Sequence, residues 1–504
     1  MNIALQLEAQ CKKYSSRPAF FYKEQEISFC QLKDSTFQLA NALEGLGLHK
    51  GDCIAVYLPN SPECIYSYLA PWCLGVTCIP FDFMLIEEEL VSCIRHAEAK
   101  VLIARAKPNV SLKRIRENCP TLEQIIMAGE EKEDFLNFES FLKQGSKVFK
   151  PREIPDKDYA CIFYTSGSTG KPKGVLCNYR QIGAPAESMS YITGLNDKDI
   201  ALCAGLPFSH LGGLVFIQSI VFLGATVVIM DRFIPLEVLK NIAQYKATVM
   251  WLVPSMFYAM LQLKEFESFD LSSLRWITSF GAPSSADQLR RFHAYCPHAP
   301  LLHGWGMTET QGPTIVTPLG SKKIESIGLP VPWIEVKVFD DNDQELAIGG
   351  VGEIVVRGWI VTDGYYKDPQ ATALAKRNGW FHTGDLGRFD DEGYLYICGR
   401  KKEMIKVAGE IVFEPEVENA IHKHPEISEV AVIGVSDKLR GEVPKAMVVL
   451  KEGSTLSEED LRYFLRQHLA HFKIPHYFEF MPVLPKNRAG KVDKEALRKQ
   501  EVGA

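Results

Sequence analysis

The sequence predicts an α/β protein with a large, doubly wound N-terminal part, followed by a small β-barrel-like sheet and a small α+β C-terminal domain. Three changes of texture along the chain predict this. In residues 1 to about 150, helical stretches such as 32–46 alternate with β-rich runs at 53–57 and 100–103. The same alternation returns at 226–230 and 248–252, with a helical stretch at 236–245 between them. Such alternation calls for parallel strands joined by helical crossovers. From about 328 to 400 the strands shorten, at 336–339 and 352–357, and turns such as DDNDQ and DDEG separate them. That pattern predicts a small antiparallel sheet or barrel. Beyond Arg400, helices at 415–423 and 457–469 surround strands at 430–435 and 446–450, which marks a separate domain with its boundary near Arg400 to Lys402. There is no internal repeat and no low-complexity tract.

Composition narrows the function classes. The chain has 504 residues, room for two to four domains, and 46% hydrophobic with 23% charged residues rules out disorder. A net charge of -6 gives no basic surface for nucleic acid or an anionic membrane, so any bound polyanion must sit in a local site. The thirteen cysteines are scattered, often within apolar runs as at Cys73 and Cys78, and form no CxxC pair. They are expected to be small core residues of a reducing compartment, which places the protein in the cytoplasm. The N-terminus lacks a basic region followed by an apolar one, so no signal peptide is expected, and the C-terminal Val-Gly-Ala is no peroxisomal address. The most apolar segment, 214–230, is interrupted by Gln218 and Ser219 and is short for a bilayer span. A buried helix running into a strand is expected there.

The stretch 164–175, YTSGSTGKPKGV, concentrates Thr165, Ser166, Gly167, Ser168, Thr169 and Gly170 in one turn after a short apolar run. Glycines let the backbone bend until successive N–H groups point into one concavity; hydroxyls add donors, and Lys171 and Lys173 add charge. This suits a polyphosphate. The spacing before Lys171 is too short for the GxxxxGK[ST] loop, and Pro172 stands where Ser or Thr is required. A flexible Ser/Gly linker would not be preceded by a buried strand and followed by KPKGV.

Together with HGWGMTET at 303–310, this stretch resembles the adenylate-forming superfamily of acyl-CoA synthetases, adenylation domains and beetle luciferases. The similarity continues through GEIVVRG at 352–358, GWFHTGDLG at 379–387, GRKKEMIK at 399–406 and PKNRAGK at 485–491. These signatures follow the family's order and cover nearly the whole chain. The resemblance implies two α/β subdomains and a barrel (about 328–400) within residues 1–400, hinged to a mobile C-terminal domain at 401–504.

It also implies a reaction. A carboxylate attacks the α-phosphorus of ATP to give an acyl-adenylate and pyrophosphate, and the thiol of coenzyme A then takes the acyl group. The first step brings an anion to a polyanion, at a repulsion of about 4 kcal/mol per contacting unit-charge pair for an effective dielectric near 20. Preplaced cations and donors therefore do most of the catalysis. By resemblance, Thr165, Ser166, Gly167, Ser168, Thr169, Gly170 and Lys173 hold the β- and γ-phosphates. Thr308 donates to the α-phosphate, and Glu309 with Thr165 binds Mg²⁺. His303 and Gly304 sit where the family often has Gln-Gly, and Trp305 replaces the Tyr that stacks beside adenine. Asp385 and Arg400 reach the ribose, and the Lys491 ammonium stands beside the carboxylate and α-phosphate. Lys402 matches the hinge, Lys406 closes the same motif, and Gly409 matches the loop approaching the thiol. The family commonly has Pro where Glu414 stands here, with the proline one place later at Pro415.

PFSHLGG at 207–213 matches the family's substrate segment, with His210 at the position of the carboxylate gate in acyl- and aryl-CoA ligases. Phe208 and Ser209 offer no charge for an amino-acid ammonium, so an apolar acid is expected. His210, Leu211, Gly213, Leu214, Met256, Phe280 and Gly281 are the candidate acyl pocket; Phe280 replaces a common glycine and narrows it. A ligase loading an acyl carrier protein, an aryl-CoA ligase, a luciferase-like oxidase and a non-catalytic sensor are the competing classes. Retention of Glu309, Asp385, Arg400 and Lys491 argues against the sensor. A homodimer is the default expectation.

Overall fold

The computed structural model describes residues 2–129, 134–165, 172–281, 286–323, 325–407, 410–437, 439–486 and 492–502. The chain divides into two compact units, 1–335 with 357–379, and 336–356 with 380–504.

The first unit is built on two sheets. One has seven strands in the order Leu136–Asn137, Gln124–Ala128, Val101–Arg105, Cys53–Tyr57, Thr77–Pro80, Tyr159–Thr165 and Lys173–Asn178. All neighbours pair parallel except the last two, which form an antiparallel pair. The other has nine strands, of which Leu301–Met307, Trp276–Ser279, Val249–Leu252, Ile200–Cys203, Thr226–Ile229 and Pro18–Tyr22 run parallel in that order.

Central strands of such sheets are covered on both faces and so read as continuous apolar runs. Every residue of Cys53–Tyr57 is buried. The next crossover shows how the sequence sets its own limits. Ser61 accepts the Cys64 N–H as N-cap, Pro62 starts the helix Pro62–Leu74, and Gly75 ends it at a left-handed φ of 80°. Everything from Cys64 to Leu74 is buried, so this helix is core all round. The main core draws on both sheets, with Ile54 and Val56 from one, Phe20, Val227, Val249, Trp251 and Trp276 from the other, and Trp72 from the helix Pro62–Leu74. Each such side chain contributes roughly 1.5–3 kcal/mol by leaving water. Residues 214–230 form the end of the buried helix Leu211–Gln218, a π-turn at Ser219–Leu223 and the strand Thr226–Ile229. Among the described residues no helix is long and apolar enough to cross a membrane.

The sequence reading is corrected at one point in this unit. Cys11 and Cys30 are disulfide-bonded, where all thirteen cysteines were expected to be reduced. The helices Ile3–Tyr14 and Phe29–Gly45 bring their Cα atoms to 4.6 Å, within disulfide reach. Of the eleven free cysteines, ten are buried and Cys398 is half-buried, as small core residues would be.

The second unit carries a small sheet in which Gly352–Gly358, Trp380–Phe389 and Leu395–Arg400 pair antiparallel, with Ile334–Phe339 at its edge. It also carries a five-stranded sheet in which Glu410–Phe413, Met404–Val407, Gly441–Leu450 and Ile427–Asp437 follow in that order, with Tyr477–Phe480 pairing parallel to Gly441–Leu450. The helices Glu414–His422 and Glu458–Leu465 bury Val417, Ile421, Leu461 and Leu465 in the core of that sheet.

Candidate active site

The phosphate stretch begins where a buried strand ends. Ala160, Cys161, Ile162 and Phe163 are buried within Tyr159–Thr165, and the antiparallel return strand sets Thr165 opposite Lys173. These two residues are register partners at the end of the strand pair. Ser166, Gly167, Ser168, Thr169, Gly170 and Lys171 lie outside the described residues. Gly174 admits no side chain, since a Cβ there would stand 2.8 Å from Ile162. The Lys173 ammonium lies 5.0 Å above the Tyr365 ring.

Tyr365 links this strand to the second motif. Its hydroxyl donates to Glu309 Oε1 at 2.9 Å, and the Thr362 N–H donates to the Glu309 carbonyl at 2.7 Å. Burial, and then the Glu309 charge, raise the Tyr365 pKa far above the usual phenol range and keep it a donor. Glu309 is itself buried, on the tight turn Thr308–Thr310 that closes through Thr310 Oγ1 and the Met307 N–H at 3.1 Å. A cation and a hard oxygen donor thus share one aromatic support, with Thr165 and Thr308 next to them in chain and register. That arrangement fits a magnesium-bound polyphosphate.

The strand Leu301–Met307 carries the next candidates. His303 is buried, its Nδ1 has no partner among the described residues, and burial holds its pKa at about 4, so the ring is neutral at pH 7. A buried ring nitrogen left open in this way fits a ligand that brings its own hydrogen-bonding edge, as a purine does. Gly304 is required by packing, because a Cβ there would fall 2.0 Å from Phe280 Cε1. Phe280 therefore lies against the strand that holds His303 and Trp305.

In the segment 207–213, His210 is the N-cap of Leu211–Gln218, and its Nε2 lies 2.9 Å from Asp82 Oδ2. Gly213 packs on the Pro207 backbone, where a Cβ would meet the carbonyl oxygen at 2.1 Å. Leu211 and Leu214 are buried in the main apolar cluster, against which Met256 and Phe280 also pack. Gly281 follows Phe280 with a left-handed φ of 87°.

In the second unit Asp385 and Arg400 are register partners on adjacent strands, and Arg400 Nε donates to Asp385 Oδ1 at 2.9 Å. The turn ahead of Asp385 is held by Glu353, which accepts the Gly384 N–H at 3.1 Å and lies 3.2 Å from His382 Nδ1. Lys402 lies in the turn Lys401–Glu403 and Lys406 in the strand Met404–Val407. Gly409 and Lys491 lie outside the described residues.

Asn60, Asp82 and Tyr365 are not among the residues expected from the sequence, and Glu353 is there only as part of the motif at 352–358. Asn60 and Asp82 had a usable signal, as polar residues shortly after a buried parallel strand, where α/β sheets bind ligands. Tyr365 had none, because its partner is remote in sequence.

Family comparison matches residues 7–366 to the AMP-binding enzyme model and 416–491 to the AMP-binding enzyme C-terminal domain. The chain belongs to the AMP-binding enzyme family. A long-chain-fatty-acid–CoA ligase of Bacillus subtilis (strain 168) is 30% identical over 97% of this chain and 92% of its own length. Among solved structures, the anthranilate CoA ligase AuaEII in complex with anthranoyl-AMP superposes with a TM-score of 0.92 at 28% identity, covering 100% of this chain and 97% of that one. The o-succinylbenzoate coenzyme A synthetase MenE of Bacillus subtilis, in complex with ATP and magnesium ion, gives 0.86 at 28% identity over 100% and 99%. As a family member the protein is an AMP-forming acid–thiol ligase using ATP, Mg²⁺ and coenzyme A, of the acyl- and aryl-CoA ligase kind.

Proposed function

We propose that this enzyme activates an apolar carboxylic acid, fatty or related, to its acyl-adenylate with release of pyrophosphate, and passes the acyl group to the thiol of coenzyme A. The acid class rests on one observation: Leu211 and Leu214, in the helix that His210 caps, are buried in the main apolar cluster, and the apolar Met256 and Phe280 pack against that cluster. An apolar chain placed there loses water without stranding a charge.

In this reading Lys173 and Thr165, with Ser166, Gly167, Ser168, Thr169 and Gly170, hold the β- and γ-phosphates. Glu309 and Thr165 hold magnesium, and Tyr365 keeps the Glu309 carboxylate in place. Thr308 donates to the α-phosphate; His303, Gly304 and Trp305 border adenine. Asp385 accepts from the ribose hydroxyls while Arg400 steadies it. Lys491 supplies the ammonium that offsets charge as the carboxylate meets phosphorus. Lys402 acts as the hinge, and Lys406 and Gly409 belong to the thiol side. A cytoplasmic location, where free CoA is at hand, and a homodimer are part of the same proposal.

An AMP-release screen over acids graded in length and aromaticity, run with CoA and with an acyl carrier protein, tests it. Turnover with apolar acids and CoA is expected. Turnover only with the carrier protein would replace the acceptor. A preference for flat aromatic acids would favour an aryl-CoA ligase, a second reading supported by the Phe280 ring lying against Gly304.

A further inference from the structure

The geometry points to Asp82 as a positioning residue for His210: its carboxylate fixes the ring orientation and tautomer of the imidazole that borders the acid. This rests on the reading above that His210 faces the substrate carboxylate.

Asp82 leaves the end of the strand Thr77–Pro80, after the buried Phe81. Both carboxylate oxygens are used. Oδ2 lies 2.9 Å from His210 Nε2 and Oδ1 accepts the Met84 N–H at 2.8 Å, so the carboxylate cannot turn freely. The loop is pinned from two further segments. Tyr57 OH lies 3.1 and 2.9 Å from the Phe83 and Leu85 carbonyls and shares its one proton between them, and Lys107 Nζ, just past the strand Val101–Arg105, donates to the Phe83 carbonyl at 2.7 Å. The backbone leading to His210 is held just as firmly. Asn60 accepts the Phe208 N–H at 2.9 Å and donates to the Leu206 carbonyl at 2.8 Å. Both ends of the contact are therefore fixed by elements that do not otherwise need this pair.

An exposed His–Asp pair is ordinarily worth little, because water competes and two side chains lose freedom. Here the Asp82 side chain is 19% exposed and the His210 side chain 53%. The acid is half-buried and held at both oxygens, while the histidine is accessible. Burial alone would raise the Asp82 pKa; the bonds from His210 and the Met84 N–H outweigh it and hold the carboxyl below its usual value, so it is an anion at working pH. An anion on Nε2 places the proton of a neutral imidazole there and leaves Nδ1 as an acceptor. A fixed tautomer and a fixed ring plane are what a gate needs to meet one carboxylate geometry repeatedly.

The test combines kinetics with a spectroscopic signature in the full-length enzyme. Asp82→Asn keeps the shape and removes the charge. It is expected to raise the KM for the acid or lower kcat by about ten-fold, with the KM for ATP unchanged. In a His210→Gln background the same substitution should add no further loss, since both act through one ring. Long-range proton–nitrogen NMR on the wild type, at a pH where the ring is neutral, should show His210 protonated on Nε2. A neutral ring protonated on Nδ1, or an Asp82→Asn loss that persists undiminished without the imidazole, overturns the proposal. If His210→Gln changes acid kinetics and Asp82→Asn does not, the positioning role fails and the gate stands. If His210→Gln changes nothing, the gate itself fails.

Discussion

Two histidines, which the proposed function sets at the two ends of the site, are held in opposite ways. His303, at the nucleotide end, is buried, and its Nδ1 has no partner among the described residues. His210, at the acid end, is half exposed and held by the Asp82 carboxylate. The same side chain is therefore a neutral, preset surface in one place and an anchored, solvent-facing group in the other. Under the proposed function the difference suits the ligands, since one end would always take the same nucleotide and the other would admit and release an acid.

If this division holds, substitutions at the nucleotide end should damage the first step for every acid. The largest effect is expected for Lys491→Ala. Acid-dependent pyrophosphate exchange should fall by about a thousand-fold, as when a preorganised charge is removed, while thioester formation from supplied acyl-adenylate survives in part. An unchanged exchange rate removes this role. Glu309→Gln should follow, with a loss of about a hundred-fold that is the same for all acids and eases at high Mg²⁺. Titrating magnesium against rate checks it, and an unaltered magnesium dependence counts against the assignment.

His303 gives a smaller effect with a defined pH window. Its imidazole titrates at 6.5 when unfolded and at about 4 when folded. Between those values the unfolded chain binds the extra proton, so its contribution is fully present above 6.5 and is lost as pH falls toward 4. The gap amounts to about 3 kcal/mol. Urea melts from pH 7.5 to 4.5 should show His303→Gln losing less stability on acidification than the wild type. Parallel losses would break the contrast between the two histidines. The smallest effect is expected at the acid end. Phe280→Gly should widen the range of accepted chain lengths with ATP kinetics unchanged, and an identical chain-length profile would show that the ring does not border the acid.

Much of this arrangement was legible in the sequence, and the exceptions share a physical cause. The apolar runs at 53–57 and 226–230 identify central strands because both faces are covered, and Ser61, Pro62 and Gly75 mark their own helix. The return strand Lys173–Asn178 pairs antiparallel, and Pro18–Tyr22 joins the nine-stranded sheet through Thr226–Ile229. The second of these pairings joins residues 207 positions apart (Phe20 with Val227), which local periodicity cannot express. The site follows the same rule. Thr165, Lys173, Thr308 and Glu309 sit in contiguous motifs; Tyr365, Asp82 and Glu353 act through partners that only the fold brings near. The Cys11–Cys30 bond was missed for the same reason, since it depends on the packing of two helices.

The most direct test of the division between the two ends is acid-dependent pyrophosphate exchange in the absence of CoA, followed by mass-spectrometric detection of the mixed anhydride. With ATP, magnesium and a panel of apolar acids, exchange and an acyl-adenylate of matching mass are predicted. A purified, folded enzyme that yields neither with any acid in the panel would contradict the account.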